Sequence, residues 1–341
     1  MNLTAFDYHL PPELIAQNPP ARRGDSRLMV LRRQQRSIEH KGFRDLLDFI
    51  REGDLLVLNA TKVIPARLRG VKEGTGGKVE VLLLKKREKD VWETLVKPGR
   101  RIKAGAKISF GGGALCGKVI EEIADGRRVI KFECAGNFMD ILNKIGEVPL
   151  PPYIKRSVTT RQKLEDKERY QTVYAREEGS VAAPTAGLHF SEKMLENIRS
   201  QGAKVAFLTL HLGLSSFQPL KEEREIKLTP EYYSLPEDTC RAVRETEGKI
   251  IAVGTSTARA LESAASRGQV QPREEWTNLF IHPGYRFGVV NALLTNFHLP
   301  RSTHLLLVAA LTGKDFLLSA YQEAVKNNYR FYSFGDAMLI I

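Results

Sequence analysis

Residues 67–148 differ in pattern from the sequence on both sides, and this change limits the folds open to the chain. Short β-rich runs such as KVEVLLLKK and RRVIKFEC alternate here with glycine-rich turns at Gly74–Gly77 and Gly111–Gly113. Short strands at regular spacing with turn signals are typical of a small sandwich or barrel. Outside this segment strands alternate with helices, which is typical of an α/β layer. We predict an α/β domain with a mainly parallel sheet, residues 1–66 and 149–341, interrupted by an inserted all-β barrel domain, residues 67–148.

The composition is that of a large globular chain. Its 341 residues exceed one average domain, and 42% hydrophobic residues suffice for a core. No apolar run approaches the roughly 20 residues of a membrane span, and the polar N-terminal sequence does not resemble a signal peptide. The cysteines Cys116, Cys134 and Cys240 and the scattered histidines lack the spacing of a disulfide framework or zinc site. We expect a cytoplasmic protein without membrane contact, metal or evident protein partner.

The chain is basic. Its 52 Lys and Arg against 40 Asp and Glu give a net charge of +12. This excess suits a polyanionic partner, because cationic side chains neutralise phosphates and release counterions; a solvated basic surface is the alternative. Part of the charge is concentrated in one stretch that contains Lys97, Arg100 and Arg101. We take these three residues as candidates for binding phosphate.

Three histidines share one sequence setting. His189 lies in LHF, His211 in LHL and His298 in FHL, each between two bulky apolar residues. If each triplet is extended, the apolar neighbours point to one face and the imidazole to the other. The stretch GSVAAPTAGLHF, which ends at Phe190, has the small residues of a loop that lines a site. We therefore predict that strand ends aim the three histidines into one cleft; core histidines bonded to backbone carbonyls are the alternative.

Two further stretches combine polar residues with buried-looking sequence. GTSTARALES follows a strand and opens a helix, so an anion or carboxylate could bind at Thr255–Thr257, near Arg259 and Glu262. An ordinary N-cap explains the threonines equally well. LLTNFHLPRSTHLLLVAAL embeds polar groups such as Asn296 in apolar sequence, at a cost of about 1–3 kcal/mol each unless they are paired. This favours a site there over a purely structural network.

Eight blocks, taken in order, resemble one family, S-adenosylmethionine:tRNA ribosyltransferase-isomerase. They are FDYHLPPELIAQNPPARRGDSRLMVL, LVLNATKVIPARL, WETLVKPGRRIKAG, GEVPLPPYIKR, YQTVYAREEGSVAAPTAGLHF, GTSTARALES, LLTNFHLPRSTHLLLVAAL and YRFYSFGDAMLI, and they cover essentially the whole chain. The resemblance implies an α/β domain interrupted by a small β-barrel. It also implies transfer and isomerisation of the ribosyl moiety of S-adenosylmethionine to 7-aminomethyl-7-deazaguanine at the wobble position of tRNA. The products would be epoxyqueuosine-tRNA, adenine and methionine.

The resemblance implies S-adenosylmethionine as co-substrate, no prosthetic group, and a queuosine-type tRNA recognised at its anticodon loop. A base must remove a proton from the carbon beside the sulfonium, and we expect His189, then His298, then His211 in that role. A second histidine or Glu262 would protonate the leaving adenine. The candidate substrate-binding residues are Thr185, Phe190, Thr255, Thr257, Arg259, Glu262, Asn296 and Phe297, of which the phenylalanines would face the sulfonium. Lys97, Arg100 and Arg101 would bind the tRNA.

The chain departs from the family pattern at several positions. Ala60 and Asn291 replace usual aspartates, Ser215 and Ser216 replace a glycine-threonine pair, and Thr229 lies where a histidine is usual. A mechanism that relies on those side chains is not expected here. A non-catalytic RNA-binding module is the alternative function. A methyltransferase-like enzyme is a third, but neither GxGxxG nor GxxxxGK[ST] occurs.

Overall fold

The computed structural model describes residues 3–124, 126–156, 160–213, 228–265 and 269–341. They form a nine-stranded sheet with helices on both faces, a closed six-stranded barrel and a two-stranded sheet. The predicted fold class, an α/β domain with an inserted barrel, is confirmed.

The chain order of the elements is as follows. The strands are β1 (Arg27–Arg32), β2 (Ser37–Gly42), β3 (Leu55–Asn59), β4 (Thr61–Val63), β5 (Arg67–Lys72), β6 (Lys78–Glu88), β7 (Val91–Lys97), β8 (Lys107–Phe110), β9 (Leu115–Glu122), β10 (Arg127–Glu133), β11 (Glu177–Ser180), β12 (Lys204–Leu210), β13 (Glu231–Leu235), β14 (Ile250–Val253), β15 (Arg273–Thr277), β16 (Ala292–Asn296) and β17 (Ala337–Ile340). The helices are α1 (Phe138–Ile145), α2 (Thr160–Arg169), α3 (Glu192–Ser200), α4 (Glu237–Glu245), α5 (Thr255–Ala265), α6 (Thr303–Thr312) and α7 (Lys314–Lys326). Two 3-10 helices, Phe43–Phe49 and Thr185–His189, pack near the site.

The large sheet has the strand order β15-β13-β12-β3-β14-β16-β17-β1-β2. The four neighbours β12, β3, β14 and β16 are parallel. Antiparallel pairing joins β13 to β12, β15 to β13, β17 to β16 and β2 to β1, so the sheet as a whole is mixed. Strands β3 and β14 are buried along their whole length. Their continuous apolar runs, LLVLN and IIAV, suit a position covered on both faces.

The two faces of the sheet carry separate cores. Alternate residues of β3 divide between them, since Leu55 and Val57 pack with α4, α5, α6 and α7. Leu56 and Leu58 pack on the other face with α3 and the 3-10 helix Phe43–Phe49. In the described ranges no single helix is long and apolar enough to cross a membrane; α6 and α7 meet the length and composition test only as a pair bent by 115°.

The barrel closes in the order β10-β7-β6-β5-β8-β9 around its own apolar core. In β7 the inward residues Trp92, Thr94 and Val96 alternate with less buried ones, as the two-residue period of a strand requires. A Cβ at Gly70 would lie 2.5 Å from Cδ1 of Phe110, so glycine lets that ring fill the interior. The barrel strands run from β5 to β10, and the exact domain boundaries at 67 and 148 stay a prediction.

Candidate active site

The carboxyl ends of the four parallel strands meet at one edge of the sheet, where ligands bind in open α/β sheets. His211 follows β12, Thr255 follows β14 and His298 follows β16, so their predicted location at strand ends is confirmed. At the end of β3, the Asn59 amide donates to the carbonyl of Leu210 at 2.9 Å, which ties β3 to β12.

A recess with about 730 Å³ of empty space, including the solvent at its mouth, lies at this edge. Its polar lining residues are Tyr153, Thr185, Thr255, Ser256, Thr295, Asn296, His298, Ser302, His304 and Ser333. They come from strand ends, from the start of α5, from the turn before α6 and from loops. About half of them were predicted from the sequence.

His298 is held rigidly at the recess. Its Nε2 lies 2.7 Å from Thr295 Oγ1, and its backbone N–H donates to the Tyr321 hydroxyl at 2.9 Å. The Tyr8 hydroxyl donates to the carbonyl of His298. Burial, and next the charge of His304, lower the pKa of His298 well below its usual value. The imidazole is therefore neutral at physiological pH.

His304, which the sequence analysis missed, stacks against His298. The ring centroids are 5.3 Å apart and the planes differ by 19°. Burial, with a smaller effect of Arg259, lowers the pKa of His304 to about 4. The signal was present in the sequence, because this second histidine lies six residues after His298 in the same polar stretch.

His189 does not line the recess. Its Nδ1 lies 2.6 Å from Ser26 Oγ and its Nε2 lies 3.2 Å from the Asn296 amide nitrogen. The ring stacks on Phe43 with centroids 4.9 Å apart, and burial lowers its pKa to about 3, with Arg330 and Arg23 adding to the shift. The expected extended conformation of LHF is wrong, because His189 ends a 3-10 helix. The predicted cleft of three histidines is accordingly not formed with this residue.

Asn296 joins His189 to the recess. Thr185 Oγ1 donates to the Asn296 side-chain oxygen at 3.1 Å, and the amide nitrogen also donates to the carbonyl of Tyr332 at 3.1 Å. Asn296 is 2% exposed, so these bonds satisfy a polar group that would otherwise be costly to bury. Thr185 and Asn296 both line the recess, as expected for a site in this stretch.

His211 lies behind the recess wall. Its Nδ1 is 2.8 Å from Thr61 Oγ1, and its ring stacks on Tyr232 at 5.6 Å between centroids. A Cβ at Gly179 would lie 2.7 Å from its Nε2, so the chain passes directly over the imidazole. Burial lowers the pKa of His211 to about 4. The neighbour Leu212, and not His211, lines the recess.

The start of α5 faces the recess with its backbone. Gly254 has φ +91°, which turns the chain from β14 into the helix, and Thr255 and Ser256 line the recess. The free amides and dipole of this helix end favour a negative group there. Thr257 is fully buried and its Oγ1 donates to the carbonyl of Val253 at 2.7 Å, so its side chain points away from the recess.

Arg259 forms a buried ion pair with Glu231, which is 3% exposed. The Gly213 N–H donates to Glu231 Oε1 at 2.8 Å, so the pair also fixes the chain that follows His211. Burial lowers the pKa of Arg259 to about 10. Arg259 borders a second, adjoining recess, which shares Thr255 and His304 with the first.

Glu262 lies outside the lining of both recesses and holds a loop. Its carboxylate accepts hydrogen bonds from the backbone N–H groups of Gly288, Val289 and Val290 at 2.8–3.0 Å and from the Tyr285 hydroxyl at 3.1 Å. Four donors occupy the carboxylate, so its contacts are those of a structural group.

The two candidate phenylalanines are core residues. Phe190 is fully buried, with its ring edge-on to Phe43 at 5.2 Å. Phe297 borders the recess, but its fully buried ring packs among Tyr321, Tyr329 and Phe331. Other aromatic side chains line the recess.

Tyr153 and Tyr332 are those aromatic side chains, and their ring centroids are 4.7 Å apart. The Tyr153 hydroxyl lies 2.7 Å from Ser333 Oγ, and burial raises its pKa to about 12. Both tyrosines lie in blocks that carry the family resemblance, GEVPLPPYIKR and YRFYSFGDAMLI, but neither was predicted as a site residue.

Comparison with known proteins assigns the chain to a family. Residues 3–340 match the family described as queuosine biosynthesis protein. The chain belongs to this family. Relatives from Acetivibrio thermocellus and Halothermothrix orenii, both named S-adenosylmethionine:tRNA ribosyltransferase-isomerase, are 52% identical over 346 and 347 residues, and each alignment covers 100% of both proteins. A solved structure titled S-adenosylmethionine tRNA ribosyltransferase, from Thermotoga maritima, is 39% identical with a TM-score of 0.56; the match covers 99% of this chain and 100% of that one.

The departures from the family pattern lie away from the recess lining where they are described. Ala60 is fully buried, and its N–H donates to the carbonyl of Leu208. The Asn291 side-chain oxygen accepts from the N–H of Ile250 at 2.8 Å, at the amino ends of β14 and β16. Thr229 is exposed. The departures at 215 and 216 fall outside the described residues.

The candidate tRNA-binding residues lie on the barrel. Lys97 ends β7, and Arg100 and Arg101 belong to a 3-10 helix that follows it; all three are exposed. The carbonyl of Gly99 accepts from Arg128 Nη2 at 2.8 Å, which fixes this turn to β10. The three residues are thus displayed to solvent by an ordered turn.

Proposed function

We propose that the chain is an S-adenosylmethionine:tRNA ribosyltransferase-isomerase. It transfers and isomerises the ribosyl moiety of S-adenosylmethionine to 7-aminomethyl-7-deazaguanine at the wobble position of tRNA, and it releases adenine and methionine to leave epoxyqueuosine-tRNA. The observation that carries this function is membership of the queuosine biosynthesis family over residues 3–340, with full-length relatives of that name at 52% identity. Those names give no support to a non-catalytic RNA-binding module.

S-adenosylmethionine and tRNA are the substrates. The same proposal has three further parts. The enzyme recognises the anticodon loop, works without a prosthetic group or protein partner, and is located in the cytoplasm. Recognition of the anticodon loop is supported by the wobble position of the target base, which lies in that loop. Lys97, Arg100 and Arg101 are proposed to contact tRNA phosphates because they are cationic and exposed.

His298 is the base that the contacts favour. The sulfonium acidifies the adjacent 5′ carbon, and a neutral imidazole at the recess can accept the proton. Thr295 orients the ring through Nε2, and burial keeps it unprotonated. His189 is less suited, since Ser26 and Asn296 occupy its two ring nitrogens. His211 is not among the residues that line the recess.

The rest of the recess matches the charges of the donor. The free amides at Thr255 and Ser256 suit the methionine carboxylate. The tyrosine rings of Tyr153 and Tyr332 suit the sulfonium through cation–π attraction, a role for which the buried rings of Phe190 and Phe297 are poorly placed. Thr185 and Asn296 offer polar groups beside them.

The function is tested with precursor tRNA that carries 7-aminomethyl-7-deazaguanine. Incubation with S-adenosylmethionine should convert it to epoxyqueuosine-tRNA, with one adenine and one methionine released for each tRNA modified, measured by mass spectrometry. Formation of S-adenosylhomocysteine would instead indicate a methyltransferase. Binding of tRNA without release of adenine would favour the RNA-binding module.

A further inference from the structure

Three lysines lie side by side across three neighbouring strands of the barrel. Lys107 on β8 is directly opposite Lys118 on β9, and Lys118 is directly opposite Lys131 on β10. All three are exposed. Their chain neighbours Ile108 and Ile130 are fully buried in the barrel, so the lysines are on its outer face. We call Lys107, Lys118 and Lys131 the lysine row.

The lysine row is unfavourable for the barrel by itself, because like charges directly opposite on neighbouring strands destabilise a sheet. Three carboxylates of the barrel are paired with other cations: Glu122 with Lys103 and Arg128, Glu121 with Arg87, and Glu93 with Arg87 and Arg127. Within the part of the chain that the structure describes, none of the three lysines forms an ion pair. Their charges are therefore available to an anionic partner.

The lysine row belongs to the same barrel as the turn proposed above to bind tRNA. Lys72 on β5 pairs with the inward-facing Ile108, so it is not a member of the row, and its Nζ donates to the carbonyl of Arg101 at 3.3 Å. Neighbouring strands are about 4.8 Å apart, so the row spans about 10 Å, the length of a short run of phosphates.

We propose that the lysine row binds the phosphate backbone of the substrate tRNA outside the anticodon loop. This inference rests on the proposed function and adds the surface that would hold an RNA stem. A lysine ammonium is a point charge, whereas the planar guanidinium of arginine can form paired hydrogen bonds with a base edge. The row should therefore position the tRNA and not select its sequence. A single narrow row of charges matches an RNA backbone better than it matches a broad anionic membrane surface.

Substitution of Lys118, the central lysine of the row, should lower the affinity for tRNA and raise the stability of the protein. Lys118→Gln should weaken tRNA binding and reduce the slope of log affinity against log salt by about one, with a raised KM for tRNA and unchanged kcat. Lys118→Glu should weaken binding further. Both variants should also raise the melting temperature, because each removes two like-charge contacts. If Lys118 were merely solvated, its substitution would leave tRNA binding unchanged.

The matched control is Lys314→Glu, which makes the same change in net charge at an exposed residue of α7. It should leave the salt slope nearly unaltered. Equal loss of binding in the control and in Lys118→Glu would overturn the inference, as would an unchanged slope in both Lys118 variants. Loss of binding to anionic phospholipid vesicles with intact tRNA binding would reassign the row to a membrane. Adenine release by the unaltered protein is measured separately, so a failed reaction and a failed binding surface are distinguishable.

Discussion

The regions around His189 and His298 differ in what surrounds the two imidazoles. His189 is 4% exposed, whereas His298 is half-buried. Around His189, Ser26 and Asn296 occupy the ring nitrogens and Phe43 covers one ring face. Around His298, Thr295 contacts one nitrogen and the ring borders an open recess. Burial keeps both imidazoles neutral, but proton transfer also requires a side on which a substrate atom can lie. Space next to the ring distinguishes the candidate base from the supporting residue.

Asn296 makes the two regions dependent on each other. It contacts His189 with the same amide whose oxygen accepts from Thr185 at the recess. A substitution of His189 should therefore alter the orientation of Asn296, and through it affect the recess less than a substitution of His298 does. Three experiments test this division of roles, and we take them from the largest expected effect to the smallest.

His298→Gln should reduce turnover by at least a hundredfold, since general base catalysis typically contributes on the order of 10²–10⁴. Affinity for tRNA should stay within about twofold, because the proposed tRNA contacts are on the barrel. Single-turnover release of adenine measures the effect, with His9→Gln, an exposed histidine, as control. Turnover close to that of the unaltered enzyme would remove His298 from the role of base.

His189→Gln should reduce turnover by about tenfold and lower the free energy of unfolding by about 1–3 kcal/mol, because buried hydrogen bonds and the contact with Phe43 are lost. Denaturant unfolding and adenine release measure the two effects. A loss of turnover as large as that of His298→Gln, in a protein of unaltered stability, would make His189 the base and reverse the comparison.

Acid titration should give the smallest effect. The folded-state pKa of His189 is about 3, below the value of about 6.5 expected in the unfolded chain. Between these values the unfolded chain binds the extra proton, so the free energy of unfolding falls as the pH falls below about 6.5, by about 1.4 kcal/mol per pH unit from this residue. His189→Gln should flatten the curve by that amount near pH 5. An unaltered slope would mean that His189 is already charged in the folded protein.

Much of the architecture could be predicted because it depends on local patterns. The change from helix–strand alternation to short strands with glycine turns marked the barrel, and the apolar runs before His211, Thr255 and His298 marked strands that end at one edge. The sheet was predicted as mainly parallel, but its margins are antiparallel. Those pairings are set by long-range register, for which a single sequence has little signal.

The site was harder to predict because burial and contact are not local. Phe190 and Glu262 have the residue types that the chemistry needs, but their side chains are occupied by a ring contact and by loop amides. His304 and Tyr153 reach the recess through the packing of α6 and of a distant loop. A flanked histidine fits a core and a cleft equally well in sequence, so the triplets could not separate His189 from His298.

The position of β17 has a consequence for synthesis of the protein. In chain order it follows the other sixteen strands described, yet in space it lies between β16 and β1. Among the described residues, strands β1 and β2 join the rest of the sheet through it alone. A ribosome must therefore deliver the chain through Ile340 before its first two strands can take their final place. Until then, nascent β1 is an unsatisfied strand edge, of the kind that chaperones shield from aggregation.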